Sequence, residues 1–166
     1  MSYDQKIAEL FLMNFKEPYR FATLLRSSYA RLQGLFPLSG EKLTNLSTDD
    51  LDKVDAFRVR ICDLQDTLGA KVFRTLLKLE EEYIGSQLDI INKIEKREII
   101  PSFDTWKELR EIRNLFSHDY PEDETRRAEA ISIAHKSTPI LLNILKSVKQ
   151  YVEDKVGIPM NEFPMD

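Results

Sequence analysis

The chain has 166 residues, a length that predicts a single domain. It has only 5 glycines and 7 prolines, and this low content of turn-forming residues disfavours a many-stranded β fold and favours long helices. A formal net charge of −4 argues against a generally basic surface for duplex nucleic acid, although a small basic site stays possible. The one cysteine, Cys62, cannot form an internal disulfide or build a zinc site by itself.

The amino terminus gives no sign of export or membrane insertion. Residues 1–15 contain Asp4 and Glu9 and lack the basic start of a signal peptide. No apolar run approaches the roughly 18 residues that a membrane span requires. We therefore expect a soluble, cytoplasmic protein.

The first quarter of the chain predicts two helices and a loop. Apolar spacing indicates a helix over residues 3–14. Pro18 suits the first turn of a second helix, which should run over residues 18–35. Residues 36–45 contain proline and glycine and are predicted to form a loop.

The middle of the chain predicts three more helices. Ser47 fits an N-cap, and apolar residues then recur at helical spacing to about residue 83. Gly69 lies inside this stretch and predicts a close helix contact or a kink. Shorter helices are predicted over residues 86–97 and 103–117.

The last helix completes the predicted fold. Acidic residues at 122–124 suit its positive start, and its apolar stripe continues to about residue 156. No segment has the pattern of a strand. We predict an all-α, antiparallel up-and-down bundle of four to six helices, with a single domain over residues 1–156 and a flexible tail over 157–166.

Familiar catalytic and cofactor motifs are absent from the sequence. Two histidines and one cysteine cannot form the paired spacings of zinc modules. Neither glycine-rich phosphate loop is present, and no GxSxG nucleophile elbow occurs. We therefore predict neither a metal nor a cofactor.

Polar residues with coherent chemistry are concentrated in residues 110–120, REIRNLFSHDY. On a helical wheel, one face carries the polar residues Arg110, Arg113, Asn114, Ser117 and His118. A guanidinium matches phosphate, and a histidine can exchange protons at neutral pH, so the pair suffices for metal-free phosphodiester transfer. On spacing alone, a solvated helix face that ends in a histidine is the more frequent explanation.

Residues 113–120, RNLFSHDY, resemble the RNxxxH signature of the HEPN superfamily (higher eukaryotes and prokaryotes nucleotide-binding). They are similar in particular to the Rx4HxY form of HepT-like toxins, which pair with minimal nucleotidyltransferases. The resemblance implies a metal-independent endoribonuclease toxin, a homodimer whose two motifs face each other across a cleft. It implies catalytic roles for Arg113 and His118, with Asn114 supporting their geometry. It also implies that the nucleotidyltransferase antitoxin attaches AMP to Tyr120, which would place negative charge where RNA phosphate binds.

Two other functions stay open at this point. Substrate-binding subunits of nucleotidyltransferases carry a similar RN…SHxY string, so the chain could be a non-catalytic nucleotide- or substrate-binding partner. Alternatively, the motif is a coincidence in a helical adaptor. The expected partners are a second copy, the nucleotidyltransferase and RNA, whereas DNA and membranes are not expected.

Five further residues are candidates for supporting the motif. Arg110, Ser117 and Asp119 are its neighbours in sequence, whereas Arg58 and Arg60 lie in the long preceding helix. For the two arginines of that helix, a partly buried network with nearby aspartates is the alternative.

Other polar residues favour structural roles. His135 lies at the edge of an apolar stripe and predicts a buried histidine with a satisfied hydrogen bond. Basic clusters within residues 93–97 and at 126–127 predict solvated faces paired with glutamates, although either cluster could flank an RNA groove.

Overall fold

The computed structural model describes residues 3–118 and 120–165, and all regular structure among them is helical. The predicted all-α bundle is confirmed. The α-helices, in chain order, are α1 Gln5–Leu32, α2 Gly40–Thr44, α3 Thr48–Thr67, α4 Phe73–Leu79, α5 Gln87–Lys96, α6 Phe103–Ser117 and α7 Glu124–Tyr151. Helix α3 packs against α1, α6 and α7, so it lies at the centre of the bundle. No helix in this described part of the chain is long and apolar enough to cross a bilayer.

The predicted break between two helices at Pro18 is wrong. The structure has one continuous helix, with this proline inside it and buried. An internal proline costs about 3 kcal/mol in an isolated helix, because it removes a hydrogen bond and crowds the preceding turn. Here the buried stripe stays in phase on both sides of it, through Phe11, Phe15, Ala22 and Leu25. Each such side chain contributes about 1.5–3 kcal/mol when fully buried, so packing outweighs the local cost.

The predicted loop at 36–45 contains a short helix. Ser39 caps α2 by accepting a hydrogen bond from the backbone N–H of Lys42, and α2 packs against α7. A Cβ atom at Gly40 would lie 2.8 Å from the backbone nitrogen of Thr125, so this close approach requires glycine. A helix of five residues is too short to show a period, which is why the sequence pattern missed it.

Helices α3 and α4 form one rod interrupted by a π-helical turn at Leu68–Val72. Ser47 caps α3 as predicted, through the backbone N–H of Asp50. Gly69 lies in the π turn, and a Cβ atom there would be 3.2 Å from the Trp106 ring, so the predicted close contact is confirmed. The rod ends at Leu79 rather than near residue 83, because Glu81 adopts a left-handed φ of 57°.

The carboxyl-terminal residues pack against α1, although the sequence predicted a flexible tail. Ile158, Met160 and Phe163 are buried. The Phe163 ring contacts Phe15 edge-on at 4.8 Å, and the Tyr19 hydroxyl donates to the carbonyl of residue 164 at 2.7 Å. Apolar residues at irregular spacing can fill a groove between helices, and a search for periodicity does not detect that.

Candidate functional site

The carboxyl-terminal half of α6 lies against α3, and a groove of about 360 Å³ opens between them. We call it the α3–α6 groove. Its lining includes three acidic side chains and two basic ones, namely Asp55, Asp63, Asp66, Arg58 and Arg113. This mixed lining carries one more negative than positive charge when all five groups are ionised. An anion can therefore bind here only where an arginine faces it directly.

Arg113 is held in this groove by a carboxylate from α3. Its Nε donates to Asp66 Oδ1 at 2.7 Å, and its Nη2 donates to Asp66 Oδ2 at 3.0 Å. This charge-assisted pair raises the pKa of Arg113, so the guanidinium stays charged. Both groups keep solvent contact, with 23% of the Arg113 side chain and 42% of the Asp66 side chain exposed. The pair orients Arg113 and at the same time offsets its charge.

His118 follows directly after the last residue of α6. Its backbone N–H donates to the Asn114 carbonyl at 2.8 Å, and its Nε2 lies 3.1 Å from Arg113 Nη1. A guanidinium can only donate, so Nε2 is the acceptor and the neutral ring carries its proton on Nδ1. The structure thus brings Arg113 and His118, which the sequence placed on one polar face, into direct contact. The Asn114 side chain is exposed on α6, and Asn114 contacts His118 through its backbone carbonyl.

Cys62 of α3 and Ser117 of α6 line the α3–α6 groove and connect the two helices. The Cys62 thiol donates to the Arg113 carbonyl at 3.8 Å, and the Ser117 hydroxyl donates to Cys62 Sγ at 3.7 Å. Burial raises the pKa of the Cys62 thiol, so it stays protonated and can act as this donor. Ser117, a predicted supporting residue, therefore helps to fasten α6 to α3.

Tyr120 lies beside the same helix terminus and is half-buried. The Arg58 guanidinium is 3.4 Å from its ring centroid, and the Arg127 guanidinium is 4.9 Å away. The Phe116 ring contacts it edge-on at 6.0 Å. Burial raises the pKa of the Tyr120 hydroxyl, so the phenol is neutral at physiological pH. Arg58, predicted as a supporting residue, is part of this cluster.

Three of the predicted supporting residues are not part of the groove as described. Arg60 is on the other side of α3, where Nη1 donates to Ser28 Oγ at 2.6 Å and to the Leu24 carbonyl at 3.2 Å. Residues two positions apart on a helix point in directions that differ by about 200°, which is why the side chains of Arg58 and Arg60 lie on different sides of α3. Arg110 is exposed one turn before the motif and borders a separate shallow apolar depression. Asp119 lies outside the described residues.

Asp66 pairs with Arg113 of the motif, and the sequence analysis did not predict this partner. Its spacing of four and eight residues from Cys62 and Arg58 places all three on one face of α3. That spacing was visible, but the choice of partner was not, because Asp66 pairs with Arg113, 47 residues away. Only the packing of α3 against α6 decides such a contact.

His135 and the basic cluster at 93–97, the other polar residues considered in the sequence, have structural roles. His135 is buried, with its ring stacked 4.2 Å from Tyr29 and 4.2 Å from Phe36, and its Nε2 is 3.1 Å from the Tyr29 carbonyl. The prediction of a satisfied core histidine is confirmed. In the basic cluster 93–97, Arg97 pairs with Glu80 at 2.7 Å, as expected for a glutamate-paired face.

No group of three or more potential ligands in residues 3–118 and 120–165 is arranged to hold a metal ion. Comparison with protein-family models, with curated proteins and with solved structures finds no match to this chain. The geometry of the α3–α6 groove and the motif that borders it are therefore the features that indicate a function.

Proposed function

We propose that this protein is a metal-independent endoribonuclease, the toxin of a HEPN–nucleotidyltransferase pair, with Arg113 and His118 as its catalytic residues. The observation that carries the proposal is the 3.1 Å contact between Arg113 Nη1 and His118 Nε2 at the edge of an open groove. A phosphate-binding fork and a proton-transfer group thus lie within reach of one phosphodiester.

The proposed reaction is attack of a ribose 2′-hydroxyl on the neighbouring phosphorus. The bound RNA takes the place of Arg113 Nη1 at His118 Nε2, and this nitrogen accepts the 2′-hydroxyl proton. The new bond from 2′-oxygen to phosphorus forms, and the bond from phosphorus to the 5′-oxygen breaks. The departing 5′-oxygen takes up a proton, and the products are a 2′,3′-cyclic phosphate and a 5′-hydroxyl. In a two-fold dimer, the histidine of the second copy would be the natural acid for that last step.

Arg113 retains donors for the phosphate. A guanidinium has five N–H groups, and the contacts with Asp66 and His118 engage three of them. The remaining two lie on the two terminal nitrogens and can bind the non-bridging oxygens of a phosphodiester. Those hydrogen bonds strengthen as charge builds up in the transition state, which is how Arg113 would accelerate the reaction.

The test is RNA cleavage by the purified protein in EDTA, with substrate and products separated on a gel. We expect His118→Ala and Arg113→Ala each to reduce the rate by roughly 100-fold or more, because each removes a group that acts in the transition state. Arg110→Ala is the matched control, since it removes an exposed arginine from the same helix and should cleave normally. Cleavage by His118→Ala at the wild-type rate would refute the proposal.

A second function, a non-catalytic subunit that binds a nucleotide or presents Tyr120 to a nucleotidyltransferase, is favoured by a different observation. Arg113 is already paired with Asp66, and the groove carries a net negative charge, both of which weaken RNA binding. This function predicts no cleavage by wild-type protein whose mass shows no added AMP. It also predicts that expression of the chain alone does not inhibit growth, whereas a ribonuclease toxin would.

A further inference from the structure

The carboxyl terminus of α6 is capped by a side chain from another helix. The last carbonyls of a helix have no partner within it and must find other donors. Arg58, on α3, supplies one: its Nη2 donates to the Phe116 carbonyl at 2.9 Å. Phe116 is two residues before His118, so this bond ties the end of α6 to α3 immediately before the histidine.

The same guanidinium also contacts the chain on the other side of His118. It lies 3.4 Å from the ring centroid of Tyr120, two residues after the histidine, which is close enough for a strong cation–π contact. Its Nη1 donates to Asp55 at 3.3 Å, which helps to keep the planar group in place. One side chain therefore holds both flanks of the turn that carries His118.

We propose that Arg58 is a positioning residue that sets the imidazole of His118 against Arg113, and that Tyr120 acts on His118 through it. The inference rests on the proposed function for its catalytic consequence. His118 is exposed, and it contacts the Asn114 carbonyl and Arg113. Its orientation therefore depends on how the turn is anchored. Any change that moves the Tyr120 ring away from Arg58 releases one of the two anchors.

Arginine is required here for a geometric reason. Its guanidinium is planar, so it can donate from its edge to the Phe116 carbonyl while its face lies against the Tyr120 ring. A lysine has a single ammonium group and cannot make both contacts in the same way. Arg58→Lys should therefore keep the charge of the groove while loosening the turn.

The chain offers a direct spectroscopic test, because it has only two histidines. The ring resonances of His118 report the turn, and those of His135, buried between two aromatic rings, report the integrity of the core. We would record ring 15N–1H correlation spectra of wild type, Arg58→Ala, Arg58→Lys and Tyr120→Ala. Arg60→Ala is the matched control, since it removes an arginine from the same helix that contacts α1 instead.

We expect Arg58→Ala and Tyr120→Ala to shift the His118 resonances and leave those of His135 in place, with Arg58→Lys intermediate and Arg60→Ala leaving His118 unchanged. RNA cleavage by Arg58→Lys, which keeps the charge of the groove, should then show a reduced kcat with an unchanged KM, and the reduction should approach the roughly 100-fold effect of misplacing a reacting group by about 1 Å. Unshifted His118 signals in Arg58→Ala would overturn the inference. A raised KM with normal kcat would also overturn it, because Arg58 would then be an RNA contact.

The two proposals fail in different ways. If the wild-type protein does not cleave RNA, the proposed function fails, and the histidine spectra alone decide whether Arg58 positions His118. If the wild-type protein cleaves RNA and Arg58→Ala matches it in both kcat and the His118 spectrum, the ribonuclease stands and the positioning role is wrong.

Discussion

The pairing of Asp66 with Arg113 yields the sharpest quantitative prediction. An RNA phosphate that binds the two remaining donors of Arg113 shares that guanidinium with the Asp66 carboxylate. Two negative charges about 6 Å apart repel by about 0.7 kcal/mol in bulk water and about 1.4 kcal/mol at half its dielectric constant. The Asp66 side chain is 42% exposed, so the lower part of this range is the better guide. Asp66→Asn should therefore lower the Kd for RNA by roughly threefold to tenfold.

Catalysis should respond in the opposite direction. A neutral amide cannot reproduce the charge-assisted bidentate pair, so Arg113 loses its fixed orientation and kcat should fall even as the RNA binds more tightly. Loss of the pair should change the free energy of unfolding by only about 0.2–1 kcal/mol, since both partners keep solvent contact. A folded variant with tighter binding and slower turnover is the combination that the geometry predicts.

The assay is fluorescence anisotropy with a short single-stranded RNA whose riboses are 2′-O-methylated, because such a ligand binds without being cleaved. Asp63→Asn is the control: it removes a carboxylate from the same groove, whereas the ion pair with Arg113 comes from Asp66. Its effect should stay below that of Asp66→Asn, and the difference should shrink as salt is raised, since the Debye length is about 10 Å at 0.1 M. Unchanged or weaker RNA binding by Asp66→Asn would refute the reasoning.

Two further predictions concern stability. Burial lowers the pKa of His135, so its contribution to the free energy of unfolding is complete above the unfolded value of ~6.5 and is lost as the pH falls through the folded one. Urea titrations at stepped pH should show this loss in wild type and not in His135→Phe; equal pH dependence would contradict it. Phe163→Ala should cost about 3–5 kcal/mol, because the ring is buried against α1. An unchanged urea midpoint, as in the exposed-site control Glu162→Ala, would mean that the carboxyl-terminal residues do not pack as described.

Much of the fold could be predicted from local pattern. The bounds predicted for α6, 103–117, agree with the structure because its apolar stripe and the Ser102 cap are encoded within a few residues of each other. The sequence also placed Arg113 and His118 in one motif, but their contact was not predictable from the helical period. Five residues correspond to about 140° on a helical wheel, so the contact depends on the backbone of His118, which follows the last residue of α6. The predicted break at Pro18 was wrong because burial of apolar side chains on both sides of it outweighed the local cost of a proline inside a helix.

The surroundings of the motif were decided by tertiary structure. Asp66 reaches Arg113 across 47 residues, and Arg58 reaches the Phe116 carbonyl across 58 residues. Both contacts depend on the axial and rotational register of α3 against α6, which is set by the fit of all the buried side chains between them. A helical period specifies which residues share a face of one helix, whereas the partner of that face is determined only when the whole core is packed.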